Sequence, residues 1–454
     1  MNTLPHELLV DVFKHVEEIS PMRTKSLQYV EKLIFRKQCF VVISNTQGLE
    51  YLNVIGIVQD DTNSGIDNFK KLKFLNIRND FDNLHFNISL SNIPKKLISL
   101  KCPTNNLTEL PITLKKFILT TKKYNVDLSS LHKLSYLKLM SETRIILPKN
   151  LLKLYNLASS LTSGHSTFQN LPDGLKYLEM DVIDSDFDFP ESLRHLEIRI
   201  NQFNCLNKIP SHLKYLRLKT FIDNEVWYSL LNYIPQSVIY FSSDISFTSK
   251  IENWPHLKKM KIQNDYFNQF NNFPVSLEVL IIGKVYFADD FGKNKYFTFE
   301  DSGNLIKLVN LRKLSLKNHH CDNLLDVLDI IAQISLTHLV LSIKKDKDIA
   351  DWFDNNLLLT LEYLHCFNEY LQNFPVNLKT LIAYKPNIKK LKSLTKLKMY
   401  DSIPLQVTLN LSELPNTLIK LQINCKFIIG NYPQKLKYLC IKKLANGDIV
   451  NLIL

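Results

Sequence analysis

Apolar and polar positions alternate along this chain in short bursts that keep returning. Residues 171 to 180 run Leu-Pro-Asp-Gly-Leu-Lys-Tyr-Leu-Glu-Met, residues 189 to 198 Phe-Pro-Glu-Ser-Leu-Arg-His-Leu-Glu-Ile, and residues 209 to 218 Ile-Pro-Ser-His-Leu-Lys-Tyr-Leu-Arg-Leu. Each reads apolar-Pro-x-x-Leu-x-x-Leu-x-apolar, and its last residues alternate with the period of a half-buried strand. A unit this short cannot bury its own leucines and must stack on copies of itself. With the first leucine, or its substitute, as position one, the unit recurs at Leu49, Leu72, Leu97, Leu114, Leu134, Leu151, Leu175, Leu193, Leu213, Val238, Leu257, Leu277, Leu311, Leu336, Leu361, Leu378, Leu394, Leu418 and Leu436. The pattern predicts one short strand per unit, paired in parallel at about 4.8 Å, with positions four and six pointing inward. Proline is expected in an extended return segment on the convex side, where its missing N–H costs no ladder bond. Two longer steps have room for helices, over Asp322 to Ile331 and Asp348 to Leu359.

The mean step of roughly 21 residues is that of leucine-rich repeats. Leu97 to Leu119 resembles the short repeats of that family, in which each strand is followed by Asn and then Leu-x-x-Leu-Pro. Tyr266-Phe267-Asn268-Gln269-Phe270 ahead of Phe273-Pro274, and Phe203-Asn204 ahead of Ile209-Pro210, resemble its FNIP variant. The resemblance covers most of residues 48 to 442. It implies an α/β fold: a leucine-rich-repeat solenoid of short parallel strands with a mostly extended convex side and a few helices.

Residues 4 to 16, Leu-Pro-His-Glu-Leu-Leu-Val-Asp-Val-Phe-Lys-His-Val, differ from the repeats. Pro5 suits a first helical position and Glu7 the first turn, where the helix dipole favours an anion. Leu8, Leu9, Val12, Phe13 and Val16 form one apolar stripe. This stretch resembles the opening of an F-box, and Lys25 to Lys37 reads as a second helix, though the tryptophan usual in that family is absent. The resemblance implies that Leu4, Pro5, Leu8, Leu9, Val12 and Phe13 contact a Skp-type adaptor and, through it, a cullin. A bland alternative is an amphipathic helix covering the open end of the array. The expected organisation is an F-box-like helical segment over 1–47, a solenoid over 48–442 and a C-terminal cap over 443–454.

Composition narrows the chemistry. With 10 glycines in 454 residues and 45% hydrophobic residues, the chain is too apolar for disorder and too poor in glycine for phosphate-cradling loops. The 7 cysteines are scattered, odd in number and never in a C-x-x-C pair, which suggests a reducing compartment and neither a disulfide framework nor a zinc knuckle. Glu7 and Asp11 interrupt any signal-peptide core, and no run of apolar residues is long enough to span a bilayer. An intracellular protein of cytoplasm or nucleus is therefore expected, with no membrane partner. The net charge of +12 is spread as single lysines over nearly every repeat, so nucleic acid is an unlikely partner and the lysines are expected to solvate the array. His319-His320-Cys321-Asp322 holds ligand-capable residues, but neighbouring histidines on a strand point to opposite faces. No metal, cofactor or catalytic set is expected, and the chain does not read as an enzyme.

Positions three and five are expected to face outward, on the concave surface. Position three carries Tyr51, Phe74, Tyr136, Tyr177, His195, Tyr215, Tyr240, Tyr363 and Tyr438. Only near Tyr177, His195 and Tyr215 do opposite charges, Glu179, Glu197 and Arg217, accompany the rings. These six residues are the candidate target-binding set; stacked rings could equally serve only to stabilise the sheet. Both resemblances together imply the substrate-recognition subunit of a cullin-RING (SCF-type) ubiquitin ligase, holding an unidentified protein target. The alternative is an intracellular leucine-rich-repeat scaffold without a link to ubiquitin.

Overall fold

A computed structural model describes residues 22–23, 32–34, 39–42, 48–58, 70–78, 93–102, 110–119, 126–139, 145–156, 170–183, 188–200, 208–220, 234–244, 254–262, 273–283, 302–316, 324–341, 347–355, 358–366, 368, 370–371, 373–384, 386, 391–400, 408–423, 427–442 and 449–453. The F-box-like stretch with Leu4, Pro5, Leu8, Leu9, Val12 and Phe13 lies outside them, as do the His319 to Asp322 cluster and the FNIP-like Phe203-Asn204 and Tyr266 to Phe270. The chain falls into two compact units, Met1–Leu213 and Lys214–Leu454. The division cuts a repeat between its first leucine and its strand, where the sequence marks no boundary.

In the first unit, strands Tyr51–Val58, Phe74–Arg78, Ser99–Cys102, Lys116–Leu119, Tyr136–Leu139, Lys153–Asn156, Tyr177–Ile183 and His195–Ile200 pair in that order, all in parallel. Position three meets position three at every step, from Tyr51 opposite Phe74 to Tyr177 opposite His195. The second unit repeats this with Tyr215–Thr220, Tyr240–Ser243, Lys259–Ile262, Val279–Ile282, Lys313–Leu316, His338–Leu341, Tyr363–Cys366, Thr380–Tyr384, Lys396–Tyr400, Lys420–Ile423 and Tyr438–Lys442. Ile449–Ile453 then runs back antiparallel along the last of these, with Asn451 opposite Cys440. It occupies the backbone edge that a further parallel strand would otherwise use.

Burial explains the register. Every first-position residue from Leu49 to Leu436 is buried, and so are the position-four residues that follow, such as Leu52, Leu100, Phe117, Leu178 and Leu339. A one-residue slip would turn that whole apolar set to solvent, so the leucine columns leave a single pairing open. Within strands such as Tyr136–Leu139 the side chains alternate half-buried and buried.

The prolines serve differently from the expected extended return. Those ahead of a first leucine by three residues, from Pro94 to Pro433, stand at the head of a tight turn, where the proline carbonyl accepts a hydrogen bond from the first leucine's N–H, as in Leu97 N to Pro94 O and Leu175 N to Pro172 O, both 3.0 Å. The turn uses the carbonyl and leaves the absent N–H irrelevant, while the fixed φ sets the entry angle. Trp254, one residue ahead of Pro255, and Leu308, in a unit without proline, accept the same bond. Hydroxyls then fasten one repeat to the next: the residue just before the first leucine donates to the preceding first leucine's carbonyl, from Thr113 to Leu97, Ser192 to Leu175, Ser276 to Leu257 and Thr417 to Leu394.

Two of the long steps hold the helices expected there. Helix α1, Leu324–Gln333, buries Leu324, Val327, Leu328 and Ile331 along one stripe. Helix α2, Lys347–Asn355, buries Ile349, Ala350, Trp352 and Phe353, and Trp352 Nε1 donates to Asp329 Oδ1 of α1 at 2.6 Å. At the other end of the chain the structure departs from the sequence reading. Lys32–Ile34, inside the segment expected to be a second helix, is a strand paired in parallel with Tyr51 to Asn53, and Cys39–Val42 pairs with the far half of the same strand. The edge of Tyr51–Val58 offers ladder hydrogen bonds and a place for Leu33 opposite Leu52, and this tertiary pairing outweighs local helical periodicity. Strand pairing therefore begins ahead of residue 48.

Candidate functional site

The outward rows of the strands carry the side chains able to recognise something. In the first unit the strands Tyr136–Leu139, Lys153–Asn156, Tyr177–Ile183 and His195–Ile200 build a continuous aromatic run. Tyr136 lies 5.1 Å from Tyr155, Tyr155 4.5 Å from Tyr177, and Tyr177 4.0 Å from His195, ring centroid to ring centroid. The last pair is stacked within 18°. Tyr155 belongs to position five of its strand, where Lys153 takes position three, so the run steps diagonally between the rows. Position-three alignment alone passes over it. A tyrosine at the third or fifth place of a Leu-x-x-Leu-x-apolar unit is the signal that would have found it.

Four of the six candidate residues are brought together here. Tyr177 stands opposite His195, and Glu179 opposite Glu197, on paired strands. The Tyr177 hydroxyl donates to Glu179 Oε2 at 3.4 Å. Glu197 is only 7% exposed although it sits on the outward row. Tyr215 and Arg217 belong to the second unit, where Tyr215 stacks on Tyr240 at 4.1 Å with the rings 3° apart and Arg217 stands opposite Ser242.

Burial sets the protonation of this cluster. The His195 imidazole is pushed down to about 4, chiefly by burial, with Lys153 adding to the shift and Glu197 opposing it. It is a neutral ring at physiological pH, able to stack and to offer one N–H and one lone pair. The Tyr177 phenol is raised far above its ordinary value by burial and by Glu179 and Tyr155, and Tyr136 is raised by burial first and by the same Tyr155 and Glu179. Both remain hydroxyl donors.

Beside this acidic end lies a basic field that the sequence reading spread evenly over the surface. Positions three and five of Ser99–Cys102, Lys116–Leu119, Tyr136–Leu139 and Lys153–Asn156 are Ser99, Lys101, Lys116, Ile118, Tyr136, Lys138, Lys153 and Tyr155, without a carboxylate among them. Lys116 Nζ sits 4.8 Å over the Tyr136 ring and Lys138 Nζ 6.0 Å over Tyr155. The second unit's outward rows hold Lys259, Lys261 and Lys313, then Lys396, Lys398 and Lys420, again with no acid on the same strands' outward positions. Several acids stand instead at position two, paired with lysine of the adjacent repeat: Glu50 with Lys73 and Glu278 with Lys258, each at 2.8 Å, and Glu362 with Lys379 at 2.6 Å. Glu50, Glu278 and Glu362 thus stand beside the rows while lysines stand on them.

Among the described residues no group of three or more His, Cys, Asp or Glu is gathered as metal ligands. Cys366 is a buried thiol pushed up to about 11 by burial, the opposite of an activated nucleophile. Among the described residues no helix is long and apolar enough to cross a membrane.

No family model matches the chain, and no curated protein matches it. Among solved structures it is similar to CroV588, a circular leucine-rich-repeat protein, at 16% identity over 91% of this chain and 67% of the other, with a TM-score of 0.39. It is also similar to YopM from Yersinia enterocolitica, at 14% identity over 91% and 82% with a TM-score of 0.37. An internalin, InlF, from Listeria monocytogenes aligns at 16% identity over 83% and 88% with a TM-score of 0.32. The repeat architecture itself is carried by the strand ladder and leucine columns described above.

Proposed function

We propose that this chain is a non-enzymatic receptor that holds a protein partner against the outward rows of its repeat strands. The observation that carries this reading is the aromatic run from Tyr136 through Tyr155 and Tyr177 to His195, flanked by Glu179 and Glu197 on one side and lysines on the other. Rigid rings on a parallel ladder offer contact area at small entropic cost, and charges of both signs orient what lands there. Tyr215 and Arg217, on the second unit, are included in the proposed target set.

The finer form of the proposal is the substrate-recognition subunit of an SCF-type ubiquitin ligase. It rests on the Leu4 to Val16 motif, whose Leu4, Pro5, Leu8, Leu9, Val12 and Phe13 would dock a Skp adaptor while the repeats hold the target, raising its effective concentration. Co-purification of the full chain tests both levels at once. Leu9→Asp and Phe13→Ala are expected to release the adaptor and keep the target, since a lost buried Phe costs about 3 to 5 kcal/mol. Tyr177→Ala combined with Tyr215→Ala is expected to keep the adaptor and weaken the target by roughly 2 kcal/mol. Absence of any adaptor from the wild-type sample removes the ligase reading and leaves the scaffold; unchanged target affinity in the folded tyrosine variant retires the surface.

A further inference from the structure

The basic field of the first unit has a spacing, and the spacing specifies a ligand. Lys101 and Lys138 lie two strands apart on row five, with Ile118 between them, and Lys116 and Lys153 lie two strands apart on row three, with Tyr136 between them. At about 4.8 Å per parallel strand, each lysine pair is separated by about 10 Å at the backbone. A peptide in the polyproline II conformation, with three residues per turn and a rise of about 3.1 Å each, covers about 9 Å in three residues and brings every third side chain to the same face. Resting on the receptor reading above, we propose that the outward face of these four strands docks an acidic peptide segment of the partner, lying across the ladder with carboxylates at every third residue.

The ring geometry favours carboxylates over nucleobases. A nucleic-acid strand on a basic sheet is held by bases stacking on exposed aromatic faces. Here one face of Tyr136 is covered by Lys116 and the ring packs against Tyr155, which in turn packs on Tyr177 and has Lys138 above it. Bases would have to displace these ammonium groups. A carboxylate instead meets ammonium and phenol together, a charge-assisted donor set. Tyr136 is held protonated by burial, so its O–H persists as a donor throughout the physiological range. Glu179 and Glu197 close the C-terminal side of the field by repulsion, which fixes where an acidic segment stops.

Fluorescence anisotropy on the full chain tests this with three probes: a labelled Gly/Ser peptide with glutamate at every third position, a peptide of the same composition with its glutamates contiguous, and a single-stranded oligoribonucleotide of equal charge. The spaced peptide is expected to bind tightest, with affinity falling as salt rises. Lys138→Glu with Lys153→Glu should weaken it about tenfold or more, and the milder Lys138→Gln with Lys153→Gln less. Lys396→Glu with Lys420→Glu, on the second unit, should leave it unchanged. Thermal melts of the same variants verify folding. No peptide binding at low salt, equal binding of the contiguous peptide, equal or tighter binding of the RNA, or indifference to both first-unit variants overturns the proposal. A captured protein target that stays bound to those variants while the peptide fails leaves the receptor reading standing; peptide binding with no protein target captured by the repeats leaves this inference and removes that reading.

Discussion

His195 shows how one residue joins packing to pH. Its ring stacks on Tyr177 and is kept from the solvent that would pay for its charge. The unfolded chain takes up this proton near the ordinary 6.5, the folded chain only near 4, so between those values the unfolded state binds more protons. Stability is therefore intact above about pH 6.5 and lost progressively as pH falls towards 4. Discounted for partial exposure of the ring, the loss is about 1 to 2 kcal/mol. His195→Phe keeps the stack and cannot titrate, and its melting temperature should fall less than the wild type's between pH 7 and 4.5; parallel curves would show that the folded chain takes up the His195 proton as readily as the unfolded chain. The sequence made the stacked pair of Tyr177 and His195 visible, because both occupy position three. It hid Tyr155, since a diagonal contact between rows depends on side-chain reach and not on alternation. It also hid the burial of Glu197, because a surface row can be covered by its own neighbours.

At the scale of elements, the strands were legible and their fasteners were not. Leucines at positions one and four set strand, face and register together, so pattern and fold agree at each unit from Leu49 to Leu436. The hydroxyls of Thr113, Ser192, Ser276 and Thr417 occupy a recurring place in the sequence, but their bond to the preceding repeat's carbonyl appears only once the repeats are stacked. Lys32–Ile34 went the other way, with helical spacing overridden by an available strand edge. A turn between the second unit's last repeats offers a sharp test of how tightly such joints are built. Gly430 has φ +88°, and a Cβ there would meet Asn410 Oδ1 and Ser412 Oγ, the atoms that accept from Ser412 N and Asn431 N. Gly430→Ala should cost about 1 to 3 kcal/mol in chemical denaturation. Gly174, in a proline-headed turn, has nothing within 4 Å of its would-be Cβ, and Gly174→Ala should stay within about 0.5 kcal/mol. Equal effects at the two sites would contradict the described crowding.

For the molecule as a whole, the sequence told architecture well and charge distribution poorly. Single lysines scattered along a chain look uniform until the fold sorts them, and here strand alternation sends Lys101, Lys116, Lys138 and Lys153 to one face while Glu50, Glu278 and Glu362 stand beside the rows. A repeat ladder is also, in principle, a polymer with a growing end. Each strand is a template for the next, and a copy of the same chain could offer its own first strand to the edge left by the last. Ile449–Ile453, laid in the reverse direction along Tyr438–Lys442, occupies that edge and acts as a chain terminator. A chain stopped after residue 448 is expected to associate end to end in a concentration-dependent way, seen as rising scattering mass by light scattering, where the full chain stays at constant mass. If the shortened chain also keeps constant mass, the reversed strand is not what halts growth.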